Sequence, residues 1–70
     1  MKIFNYGRKQ IAVLLEDCGY SASDLISAEY SHTNDRNQAV FDIVYDQLGE
    51  GFQEGKVYVY IQDGQLSAEY

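Results

Sequence analysis

Asp63-Gly64, set between two alternating runs, constrains this chain more than any other pair of residues. Two-residue hairpin loops of the type I′ kind need positive φ at both positions, and Asp-Gly tolerates that. Val57 to Gln62 alternates before the turn and Gln65 to Tyr70 returns after it, so the sequence predicts a C-terminal β-hairpin. A loop this short also sets the register. Gln62 then faces Gln65, Ile61 faces Leu66, Val59 faces Ala68 and Val57 faces Tyr70, which makes one apolar face. The opposite face carries Tyr58, Tyr60, Ser67 and Glu69. Exposed tyrosine offers large contact area for little side-chain entropy, as at protein interfaces.

Upstream, the apolar spacing reads as helical. Lys2 to Tyr6 reads as a short strand that Gly7 breaks. Ile11, Leu14, Leu15 and Cys18 recur at i, i+3, i+4, i+7 and predict a helix over Arg8 to Cys18, with Gly19 as its stop. Ser21-Ala22-Ser23-Asp24 offers a cap, with an acid in the first turn, for a second helix running to about Tyr30 with Leu25, Ile26 and Ala28 apolar. After the polar loop Ser31-His32-Thr33-Asn34, Asn34 caps a third helix from Asp35 to Leu48 with the stripe Val40, Phe41, Val44, Tyr45, Leu48. The expected fold is therefore α+β: a short N-terminal strand, three helices and a C-terminal hairpin, with a small antiparallel sheet packed on the helices.

Seventy residues make one domain, residues 1–70, with a thin core. The 46% apolar content and ten aromatic residues argue against disorder. No apolar run approaches the ~20 residues of a transmembrane helix. Met1 to Gly7 lacks the apolar run of a signal peptide. The single Cys18 forms no intrachain disulfide, so the expected compartment is the cytoplasm.

Eleven acids face five bases, for a net charge of −6. Residues 36–70 hold six of the acids and two of the bases, so the field is strongest over the C-terminal half. That sign repels nucleic acid and anionic membranes and favours a basic protein surface. On the third helix and beyond it, Asp42, Asp46, Glu50 and Glu54 recur every four residues. Helical residues four apart share a face and rise about 6 Å, within a factor of about two of the phosphate spacing on one DNA strand. Gly49, Gly51 and Gly55 interrupt the ladder, so it is firm only for Asp42 and Asp46.

The motifs exclude more than they assign. Leu14-Leu15, Cys18-Gly19-Tyr20-Ser21, Leu25 and Ala28 resemble a helix-turn-helix pattern, but the segment that would read DNA holds Asp24 and Glu29 and no base. Gly51 to Val57 is one residue too short for a phosphate loop, lacks the Ser/Thr after Lys56 and carries Glu54 where phosphate would sit. Glu29, His32 and Asp35 gather as metal ligands only on a helix, and Ser31 to Asn34 reads as loop, so no metal or cofactor is expected. Cys18 reads as a buried small hydrophobe. Paired carboxylates without a cleft do not make an acid–base enzyme, and no catalytic residue is assigned.

In size and charge, though not in motif, the chain is similar to small acidic inhibitors of phages and mobile elements and to immunity proteins. The expected function is non-catalytic: an inhibitor that occludes a basic, nucleic-acid-binding surface of a protein partner, as a DNA mimic with anti-CRISPR or anti-restriction activity. Its expected contact residues are Asp42, Asp46, Glu50, Glu54, Tyr58, Tyr60 and Glu69. Two alternatives stand beside it: a small homo-oligomeric regulatory or ligand-sequestering protein, possible as a homodimer through its sheet edge, and an acidic immunity protein against a nuclease toxin.

Overall fold

The computed structural model describes residues 5–46 and 51–70. Its elements are one helix, α1 (Arg8–Asp17), followed by four strands, β1 (Leu25–Thr33), β2 (Ala39–Asp46), β3 (Phe52–Gln62) and β4 (Gln65–Glu69). All neighbours pair antiparallel, in the order β1-β2-β3-β4. The helix covers one face of this meander.

Helix α1 forms where its spacing predicts, and its ends are built from local chemistry. The Gly7 N–H donates to Gln10 Oε1 at 3.0 Å, filling one of the open positions of the first turn. At the other end, the Tyr20 N–H reaches the Leu15 carbonyl at 2.9 Å and the Gly19 N–H reaches that of Glu16 at 3.1 Å. This double closure needs a left-handed residue between them, and Gly19 supplies it at φ +91°. Ile11, Leu14 and Leu15 then point into a core shared with Leu25, Ala28, Phe41, Ile43, Val57 and Val59.

The expected three-helix arrangement is overturned. The segment expected as a second helix, Ser21 to Tyr30, is mostly β1, and the third, Asp35 to Leu48, is mostly β2. Of the N-terminal strand Lys2 to Tyr6, residues 1–4 lie outside the described residues; Asn5 sits in a 3₁₀ turn and Tyr6 has no regular structure. Each correction has a physical cause. In β1 the pairing slips between Leu25 and Ser27, a β-bulge that puts one extra residue between the buried Leu25 and Ala28. Three-residue spacing on a strand is thereby indistinguishable from one face of a helix. In β2 the run Ala39-Val40-Phe41 is buried throughout, Val40 included although it faces away from the helix. A short apolar run carries no period, and its β-branched and aromatic content favours the strand.

The turn between β1 and β2 uses the chemistry expected of a helix cap. Asn34 Oδ1 accepts from the N–H groups of Arg36 (3.0 Å) and Gln38 (2.9 Å), and its amide donates to Gln38 Oε1 at 2.9 Å. An Asn that could cap a helix can close a turn with the same acceptor. Asn37, left-handed at φ 61°, completes the reversal.

The C-terminal hairpin is present, and longer on its first strand than the alternation from Val57 shows. Asp63 and Gly64 have φ of 54° and 79°, as the type I′ turn requires. Gln62 faces Gln65, Ile61 faces Leu66 and Val59 faces Ala68. At the β4 edge, the Ala68 N–H donates to Cys18 Sγ at 3.4 Å, so Cys18 caps an edge group as well as bordering the core.

Replacing Asn34 by Ala removes three side-chain hydrogen bonds and should lower stability by about 1–2 kcal/mol. Replacing Asn37 by Gly keeps the left-handed residue and should change it by no more than about 0.5 kcal/mol. Urea midpoints measure both, and an equal loss in the two variants would locate the turn's stability in its backbone rather than in Asn34.

Candidate functional site

Register decides which side chains share a face, because successive residues of a strand point to opposite sides. On β2 the residues away from the helix are Val40, Asp42, Val44 and Asp46, and their partners on β3 are Tyr58, Lys56, Glu54 and Phe52. Pairing extends this face to Ser27, Glu29 and His32 on β1 and to Ser67 and Glu69 on β4. Of the seven residues expected to contact a partner, Asp42, Asp46, Glu54, Tyr58, Tyr60 and Glu69 therefore all lie on the helix-free face. Glu50 lies outside the described residues.

The geometry of the acids differs from the expected ladder. On a strand, four residues span about 13 Å rather than about 6 Å. A straight Asp42–Asp46 ladder is thus too wide for the spacing argument made on a helix. The acids approach one another across strands instead. Glu54 lies diagonal to both Asp42 and Asp46, at about 7–8 Å per step, and Glu29 faces Asp42 directly. Among the described residues five carboxylates, of Glu29, Asp42, Asp46, Glu54 and Glu69, share this face with one lysine, Lys56.

Lys56 is already engaged. Its Nζ donates to Asp42 Oδ1 at 2.7 Å in an exposed ion pair. That hydrogen bond and the charge of Asp42 hold the lysine above its usual pKa. At the far end of the face, Arg36 joins Asn34, Gln38, Tyr58 and Glu69 around a shallow hollow, so a second base tempers the field near Glu69. Asp46 is half-buried: its N–H donates to the Asp24 carbonyl at 3.0 Å, and its Oδ1 is shut from solvent with no hydrogen-bond partner among the described residues.

The tyrosines are half-buried rather than fully exposed. Tyr58 stands across from Val40, which is only 1% exposed although it faces away from the helix. Phe52, at the edge of the same face, is 76% exposed. The phenol of Tyr58 thus belongs partly to the packing of the sheet. Glu29 and His32, whose spacing suggests metal ligands only on a helix, are placed on this face by the strand period. Among the described residues no three His, Cys, Asp or Glu side chains gather to hold a metal ion.

On the helix side, Tyr20, Tyr45 and Tyr70 form a second aromatic group. Ring centroids lie 6.0 Å apart for Tyr20–Tyr70 and 6.0 Å for Tyr45–Tyr70, the latter edge to face at 66°. Gly55 makes room for this, since a Cβ there would meet Tyr45 Cε1 at 3.3 Å. Burial of the phenol and its hydrogen bond with Tyr45 push the pKa of Tyr70 up to about 12. Nothing in the alternation of the hairpin pointed to this group, because its members come from three separate segments.

No family model matches the sequence, and no curated protein or solved structure matches it either. Among the described residues no helix is long and apolar enough to cross a membrane.

Tyr70 favours its protonated form in the fold, so its contribution is complete below pH 10 and is lost as pH rises through about 12. Between those limits the wild type should lose stability more steeply than Tyr70→Phe, which has no proton to lose. Denaturant midpoints at successive pH values measure the slopes; identical slopes would separate the Tyr70 proton from the fold.

Proposed function

We propose that this chain is a non-catalytic cytoplasmic binding protein whose helix-free sheet face occludes a basic surface of a protein partner, of the kind that binds nucleic acid. The observation that carries this reading is the convergence of five carboxylates on one sheet face where Lys56, the one lysine among its described residues, is already paired with Asp42. Acids so placed raise the encounter rate with Lys- and Arg-rich surfaces and set the docking orientation. Tyr58, Tyr60 and the exposed Phe52 supply contact area beside them, where aromatic anchors are most effective. Mimicry of nucleic acid, in this reading, comes from cross-strand steps of about 7 Å between carboxylates and not from a helical ladder.

Two variants of equal charge separate this face from bulk acidity. Asp42→Asn/Glu54→Gln/Glu69→Gln removes three acids from the face. Glu16→Gln/Asp17→Asn/Asp63→Asn removes three exposed acids elsewhere. Immobilised wild type should retain a basic nucleic-acid-binding protein from a nuclease-treated lysate at low salt and release it as salt rises. The face variant should associate with that protein about tenfold more slowly, and the second variant close to normally. Equal behaviour of the two variants, or no retention at all, would end the proposal.

A further inference from the structure

The hollow beneath Tyr20, Tyr45 and Tyr70 has a chemistry distinct from that of the acidic face and lies on the other side of the sheet. It encloses about 340 Å³, and its floor includes Leu25 and Ile43. Among the described residues, Asp24 is the one charged residue that lines it. Arg8 donates to the Leu25 carbonyl at 2.8 Å but does not line the hollow. Leu15, in the last turn of α1, brings the negative end of the helix dipole to the same place.

Three phenol rings set at differing tilts, an aliphatic floor and a single carboxylate at the wall make an environment selective for a particular ion. A compact, weakly hydrated cation gains from the aromatic lining and from Asp24, and loses little on leaving water. A primary ammonium is more strongly hydrated and loses more on leaving water. An anion meets Asp24 and is repelled. Tyr20 and Tyr70 are partly open to solvent, so the hollow can be entered without unpacking the core.

We propose that this hollow is a binding site for a trimethylammonium group, carried either by a small molecule of the choline type or by a trimethylated lysine side chain. The site is independent of the acidic face, and its failure leaves the reading of that face untouched.

The test is a titration of the full chain with choline, with its neutral isostere 3,3-dimethyl-1-butanol and with trimethyl-lysine amide, followed by the ring resonances of the three tyrosines. The expected result is that choline or trimethyl-lysine amide shifts the resonances of Tyr20, Tyr45 and Tyr70 together, the neutral isostere binding at least about fivefold more weakly. Tighter binding of one cation than the other identifies its source. Tyr20→Phe keeps the ring face and should bind within about twofold of wild type, whereas Tyr20→Leu should weaken binding about fivefold or more. Asp24→Asn should weaken it also, and circular dichroism of each variant confirms the fold. Equal binding of choline and its neutral isostere would reduce the hollow to an apolar cavity. Absence of any shift with both cations would remove the site.

Discussion

The burial of Ile11, Leu14 and Leu15 in the core on the helix side of the sheet is the interaction from which the rest of this structure follows. These side chains share one core cluster with Phe41, Ile43, Val57 and Val59, which are at most 1% exposed. Burying one such side chain is worth about 1.5–3 kcal/mol, and total stability for a chain of this size is about 4–10 kcal/mol. Loss of one core side chain therefore removes a large fraction of the total. The helix is also tied to both edges of the sheet, by Arg8 Nε donating to the Leu25 carbonyl on β1 and by Cys18 Sγ accepting from Ala68 on β4.

Because one helix covers one face, the other face of the sheet remains for charge. That division explains how an acidic chain of 70 residues sustains a core at all. The core cluster on the helix side contains no ionised group. Glu29, Asp42, Asp46, Glu54 and Glu69 are held on the opposite side by register alone. Their mutual repulsion is moderated by Lys56 and, at one end, by Arg36. At physiological salt the field of such a face reaches about 8 Å, so it acts at close approach to a partner rather than at long range.

Legibility varied with how local the signal was. The first helix and the Asp63-Gly64 turn were readable because each rests on contacts within a few residues: the Gly19 stop at φ +91° and positive φ at both turn positions. The segments of β1 and β2 were misread because tertiary features erased their period. A bulge beside Leu25 imitated helical spacing, and burial of both Phe41 and Val40 gave β2 an apolar run without alternation. The contact residues fared differently. Asp42 and Asp46 share a face under either reading, since a separation of four is even on a strand and close to one turn on a helix. Their union with Tyr58, Tyr60 and Glu69 required the β2–β3 register, which no local pattern encodes.

Taken alone, the sequence determined the acidity, the α1 stripe, the hairpin turn and its register, because these depend on composition or on neighbours within a short stretch. Tertiary structure alone decided that the two middle segments are strands, that six expected contact residues share one sheet face, and that Tyr20, Tyr45 and Tyr70 converge. The physical reason is that strand pairing is non-local. A strand acquires its partner, its bulges and its covered face only when distant segments close on it, and the entropy of that closure is repaid by the core under α1 rather than by the strand's own residues.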